Sequence, residues 1–223
     1  MIVVHHLNNS RSQRVLWLLE ELGLPYEVVR YQRDAKTMLA PPELKAVHPL
    51  GKSPVIVDGE CKVAESGAII EYMLDKYDQG TLLPERGTPE KRRLTYFLHY
   101  AEGSMMAPLL MKLIFDRVES SPAPFFVKPI ARGIAQKVKG SYIQPQIDQH
   151  LAYLEGELRE RPWFAGDTFT AADIQMSFPL EAAAARGGLD ERYPKLKSFL
   201  DRIHARPAYQ RALAQGGPYE LLR

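Results

Sequence analysis

The residues able to do chemistry in this 223-residue sequence gather near its beginning, in three short stretches. The first, Leu7-Asn8-Asn9-Ser10-Arg11-Ser12-Gln13, puts small hydroxyl and amide side chains where a strand gives way to a helix. Unpaired N–H groups and the positive end of the helix dipole favour an anion there, although the same side chains also serve as plain helix caps. The second, Pro49-Leu50-Gly51-Lys52-Ser53-Pro54-Val55, sets a proline at the start of a strand. A cis bond before Pro54 leaves the Ser53 N–H and C=O open to a peptide-like ligand, and Lys52 can meet a carboxylate; a turn with a solvated lysine is the plainer reading. The third, Glu65-Ser66-Gly67, opens a helix. The Ser66 hydroxyl with nearby N–H groups can hold a carboxylate while Glu65 holds an ammonium, which is what an α-amino acid head requires. An N-cap serine beside an acidic residue explains the same letters equally well.

Other constellations carry less. Met105-Met106 with Tyr96, Tyr100 and Leu109 reads mainly as core, with a smaller share for an apolar pocket at a domain interface. Phe169-Thr170-Ala171-Ala172-Asp173-Ile174 is a capping box with aspartate in place of glutamate, and is structural. His5 and His6 are neighbours on a strand and point to opposite faces, so they form no joint metal site. HExxH, P-loop and GxGxxG patterns are absent, and no metal is expected. The single cysteine, Cys61, excludes an internal disulfide and reads as a packed strand residue rather than a nucleophile.

These stretches need elements to hold them. The sequence is 45% hydrophobic and 25% charged, with 29 basic against 27 acidic residues, enough for a sizeable core and too balanced for a nucleic-acid or anionic-lipid footprint. The first residues lack a signal-peptide pattern, and Met105 to Phe115 is too short to cross a bilayer. A cytoplasmic protein follows. Ile2 to His5 predicts a strand, then a helix opened by a Ser10-x-x-Gln13 capping box and closed at Gly23. Tyr26 to Tyr31 predicts a second strand, and Thr37 to Val47 at most a short helix. Pro54–Val57, Asp58-Gly59 and Cys61–Val63 give a hairpin, and a helix runs from Glu65 to Tyr77. Beyond a Gly, Pro and Leu-rich linker, Thr88-Pro89 starts helical patterns at 90–117, 125–160, 170–186 and 194–214. Pro108, Pro129 and Pro145 should start or kink helices.

Taken in order, these motifs resemble the cytosolic glutathione transferase superfamily along essentially the whole chain. The resemblance rests on Pro49 to Val55, Glu65-Ser66, Leu82-Leu83-Pro84, Trp163-Phe164-Ala165-Gly166-Asp167 running into Thr170 to Asp173, Tyr193-Pro194-Lys195-Leu196 and Arg206-Pro207-Ala208. The loop from Asn8 to Arg14 is most similar to bacterial and fungal members of the serine type.

The resemblance implies an α/β thioredoxin-like N-terminal domain over residues 1–80 that binds glutathione, a linker over 81–89, and an all-helical domain over 90–223 contributing the electrophile pocket. It implies that Ser53, beside a cis Pro54, pairs with the cysteinyl backbone, that Glu65 and Ser66 hold the γ-glutamyl end, and that Lys52 holds the glycine carboxylate. Ser10 would donate to the sulfur; it best fits the serine-type spacing before Arg14, with Asn9 and Ser12 as rivals. Glu102 stands where the partner subunit's glutathione would be in reach. The implied protein is a glutathione transferase, a homodimer of detoxification chemistry, with glutathione as co-substrate, no cofactor, a small hydrophobic electrophile as second substrate, and neither nucleic acid nor membrane as partner. Glutathione-dependent peroxidase or isomerase activity, and a non-catalytic regulatory or assembly module, are the alternatives.

Overall fold

Residues 1–35 and 37–222 are described by a computed structural model. The β-branched run at the start forms β1 (Ile2–Leu7), with Ile2, Val4 and Leu7 buried. Helix α1 (Ser12–Glu21), β2 (Tyr26–Tyr31), the short α2 (Glu43–Val47), β3 (Val55–Asp58), β4 (Cys61–Ala64) and α3 (Ser66–Tyr77) follow. The sheet order is β2-β1-β3-β4, with β1 parallel to β2 and the other pairs antiparallel. This is the thioredoxin-like arrangement.

Gly23 (φ +64°) closes α1: its N–H reaches the Glu20 carbonyl and the Leu24 N–H reaches Leu19, satisfying the last turn. At the hairpin, Gly59 takes φ +61° between the paired residues Asp58 and Cys61. Asp58 then ties the hairpin to α3, accepting hydrogen bonds from Tyr72 (2.9 Å), Tyr77 (2.7 Å) and Lys76 (2.6 Å).

Two local expectations fail here. The Ser10-x-x-Gln13 capping box does not form. The helix starts at Ser12, the Ser10 Oγ is engaged by the Ser12 hydroxyl and N–H, and the Gln13 amide nitrogen has no partner among the described residues. Cys61 is exposed rather than packed, because it opens β4, an edge strand, at the rim of the sheet.

The second half is helical: α4 (Pro89–Tyr100), α5 (Met106–Ser120), α6 (Lys128–Val138), α7 (Gln144–Glu160), α8 (Ala171–Arg186), α9 (Pro194–His204) and α10 (Pro207–Gly216). Thr88 caps α4, accepting from the Lys91 N–H at 3.2 Å, with Pro89 at the first helical position. Wide π-type turns at Ala101–Met105 and Lys139–Ile143 join α4 to α5 and α6 to α7, so each pair runs on as one long helix. Each wide turn shortly precedes a proline, Pro108 or Pro145, which cannot donate to the carbonyl four residues back. The pattern read as a single helix over 194–214 is broken by Pro207, which holds Arg206 extended (ψ 131°) between α9 and α10.

Helix α8 is buried from Ala171 to Ala183, and α1 from Ser12 to Leu19. Helix α1 packs on β1 and α3 from one side and on α8 and α10 from the other, so the two halves share one apolar core. At the start of α8, Thr170 accepts from the Ala172 N–H, while the wholly buried Asp173 accepts from the Thr170 N–H (2.8 Å) and the Phe164 N–H (2.9 Å). Burial raises the Asp173 carboxyl to about 7 despite those donors. The Met105, Met106, Tyr100 and Leu109 cluster is core, whereas Tyr96 lies half exposed.

Candidate functional site

The loop after β1, the loop before β3 and the start of α3 meet at one end of the sheet. A cavity of about 270 Å³ opens there, and Lys52, Ser53, Glu65 and Ser66 all line it. Arg11, His48, Leu50 and, from the helical half, Glu102 and Leu110 complete its walls.

The Ser53–Pro54 peptide is cis. The Ser53 hydroxyl donates to the His5 carbonyl (2.8 Å) and accepts from the Leu7 N–H (3.2 Å), which locks this loop to the end of β1. Its hydroxyl is thereby engaged by the fold, which leaves its backbone groups for any ligand. Glu65 holds φ +72°, a conformation that side chains other than glycine adopt rarely and that concentrates at functional sites. It precedes the first turn of the twelve-residue α3, whose leading N–H groups and dipole favour an anion. Ser66 is buried while Lys52 and Glu65 are exposed.

Ser10 does not line the cavity. It is 4% exposed, and its Oγ lies 2.7 Å from the Ser12 Oγ, which in turn lies 2.9 Å from His6 Nδ1. Burial lowers the His6 imidazole to about 4, so it is neutral near neutral pH. Asn9 spends its side-chain oxygen on the Glu220 N–H (2.8 Å), and Ser12 is wholly buried.

Three charged residues that the motifs did not single out as a unit organise the floor of the site. Arg14, 1% exposed, donates from Nη1 to the Gln175 carbonyl (2.7 Å) and from Nη2 to the Ser66 hydroxyl (3.1 Å) and Glu102 (2.5 Å). Arg11 donates from Nε to the other Glu102 oxygen (2.8 Å). The guanidinium groups of Arg11 and Arg14 each lie 5.4 Å from the Phe178 ring centre. Burial opposes the Glu102 charge, but Arg14 and then Arg11 outweigh it and hold the carboxyl below its ordinary range. Glu102 is thus engaged within its own chain, where the resemblance placed it in reach of the partner subunit's glutathione. The available signals were an arginine inside the apolar run of α1 and a carboxylate in the wide turn after α4. Neither reveals its partner, 88 residues away.

Among the described residues no group of three or more His, Cys, Asp or Glu could hold a metal ion, and no helix is long and apolar enough to cross a membrane. A cis-proline loop, a strained residue before a helix and a helical wall closing over them define a thioredoxin-like enzyme of the two-domain kind. Residues 1–75 match the N-terminal domain of glutathione S-transferase, and residues 126–207 match its C-terminal domain. The chain is 37% identical to glutathione S-transferase 1 of Saccharomyces cerevisiae, covering 94% of this chain and 92% of that one. It is 36% identical to glutathione S-transferase 3 of Schizosaccharomyces pombe, covering 93% and 85%. The crystal structure of a glutathione S-transferase from Actinobacillus pleuropneumoniae superposes with a TM-score of 0.82 at 33% identity, over 100% of this chain and 96% of that one. The chain belongs to the glutathione S-transferase family and is a glutathione transferase.

Proposed function

We propose that glutathione lies in the cavity at the end of the sheet and that its thiol, turned to thiolate, attacks a small hydrophobic electrophile. The observation that carries this reading is the meeting of Lys52, Ser53, Glu65 and Ser66 in one cavity. A zwitterionic tripeptide needs a cation for one carboxylate, a strand-like backbone edge, and a hydroxyl with a carboxylate for its amino acid head. On this reading Lys52 takes the glycine carboxylate, the Ser53 backbone pairs with the cysteinyl residue, and Glu65 and Ser66 take the γ-glutamyl head. Leu110, followed along α5 by Ile114, offers the electrophile an apolar wall.

Ser10 is the hydroxyl assigned to the sulfur. Asn9 and Ser12 are already committed elsewhere, and Ser10 adjoins Arg11, which does line the cavity. When His6 Nδ1–H donates to Ser12 and Ser12 donates to Ser10, the Ser10 proton is free for the sulfur. A thiol has an ordinary pKa of about 8.5 and reacts as thiolate. A hydroxyl donor and the N-terminal end of α1 stabilise that anion and lower the pKa. The protein supplies no covalent nucleophile of its own. We place the enzyme in the cytoplasm as a homodimer of the serine type.

The deciding experiment is a pH titration of the ultraviolet thiolate band of glutathione with and without stoichiometric protein. The proposal expects a bound pKa at least one unit, on the order of 1.4 kcal/mol, below that of the free thiol. Binding without a shift would leave a glutathione carrier, and absence of binding would overturn the site.

A further inference from the structure

The tip of the hairpin between α5 and α6, with the helix that follows, gathers strongly exposed apolar side chains. Phe125 is 88% exposed, Phe126 64%, Ile130 63% and Ile134 57%. Ile130 and Ile134 stand four residues apart on one face of α6, Phe125 and Phe126 lie in the turn that leads into it, and Ala135 is the one residue that α6 buries. A helix this amphipathic that leaves its apolar stripe outward has not yet met its partner.

Charge identifies the partner. No Asp or Glu occurs between Glu119 and Asp148, whereas Lys128, Arg132, Lys137 and Lys139 all fall there. Lys139 pairs with Asp116 and Glu119, and Arg132 approaches Glu119 at 3.8 Å. Lys128 and Lys137 have no ion-pair partner among the described residues. The near-neutral total of the whole sequence therefore conceals a local cationic segment wrapped around exposed phenylalanines. The nearest carboxylates, Asp116 and Glu119, are already taken by Lys139, so where this segment met its own copy about a two-fold axis no free carboxylate would answer Lys128 and Lys137. An anionic bilayer surface satisfies both parts: the rings enter the boundary between headgroups and acyl chains, and the lysines reach back to the headgroups.

We propose that the Phe125-Phe126 tip and the outer face of α6 bind the surface of an anionic membrane, without crossing it. Leu110 of the cavity wall continues through Ile114 and Val118, at four-residue steps, along one face of α5 toward that tip. On the function proposed above, this stripe gives a bilayer-dissolved electrophile an apolar path to the cavity. Binding to vesicles is read without glutathione, so its failure and the failure of that function are separable.

The test is sedimentation of the full chain with vesicles of phosphatidylcholine alone, and of phosphatidylcholine with about one third phosphatidylserine. The chain should pellet with the anionic vesicles only, and should be released as salt shortens the screening length from about 10 Å at 0.1 M to about 3 Å at 1 M. The double variant Phe125→Ser with Phe126→Ser should partition about tenfold or more weakly, and Lys137→Gln about fivefold. Both sites are exposed, and unchanged circular dichroism would confirm folding. As a second readout, Phe126→Trp should shift its emission to the blue on anionic vesicles only. Failure to pellet, or equal pelleting by the double phenylalanine variant, overturns the proposal. So does a double variant of lower molar mass by light scattering when the parent ignores vesicles, since the face is then an interface between copies.

Discussion

The Nη2 of Arg14 donates to the hydroxyl of Ser66 over 3.1 Å, from beneath the floor of the cavity. A serine whose oxygen is already accepting has its own proton free, so Ser66 would meet the proposed glutathione as a donor. Arg14 is held in turn by Glu102, so a residue of the helical half orients a hydroxyl of the sheet half.

That chain of contacts makes Glu102 testable. Glu102→Gln keeps the shape but leaves a buried guanidinium without its counter-charge, a loss of about 1–3 kcal/mol shared between stability and site geometry. The KM for glutathione should rise about tenfold, with kcat changed less than threefold. Steady-state kinetics at saturating electrophile would check it; a KM within twofold of the parent's would sink the role.

Ser10→Ala removes the hydroxyl assigned to the sulfur. A hydrogen bond to a charged acceptor contributes about 1.5–3 kcal/mol, so kcat should fall roughly 10–100-fold while glutathione binding stays nearly intact. The thiolate pKa of bound glutathione should rise in the same variant. An unmoved pKa and unchanged turnover would return the role to Asn9 or Ser12.

Asp173→Ala should act on stability alone. It leaves the buried N–H groups of Phe164 and Thr170 without acceptors and uncaps α8 at the centre of the helical half. A loss of about 2–4 kcal/mol is expected, read as a lower urea midpoint at constant slope. A midpoint equal to the parent's would contradict the packing described.

His6 sets a pH dependence with a definite sign. Its imidazole titrates at 6.5 when unfolded and at about 4 when buried in the native chain. Between those values the unfolded chain binds the extra proton, so stability is full above pH 6.5 and declines by up to about 3 kcal/mol as pH falls toward 4. His6→Gln should flatten that decline in chemical denaturation series across this range; a parallel curve would disprove the assignment.

What could be read from the letters was whatever rests on short-range physics. Gly23 ends α1, Gly59 turns the hairpin and Pro89 opens α4, because a positive φ or a missing N–H constrains a few neighbouring residues and little else. The Thr170–Asp173 box spans three residues, and the alternation of strand and helix through residue 77 follows from apolar periodicity. The motif residues Lys52, Ser53, Glu65 and Ser66 were likewise found locally, one short stretch at a time.

Tertiary structure decided the rest. Whether Ser10 caps a helix, as its spacing to Gln13 suggests, or joins a buried hydroxyl pair depends on His6 and on what packs over α1. The exposure of Cys61 depends on β4 being an edge strand, which the hairpin alone does not state. Above all, Arg14, Ser66 and Glu102 come from two halves of the chain and meet only because α1 is buried between the sheet and α8. A buried guanidinium must find its counter-charge wherever packing brings one, and no periodicity in the sequence records that address.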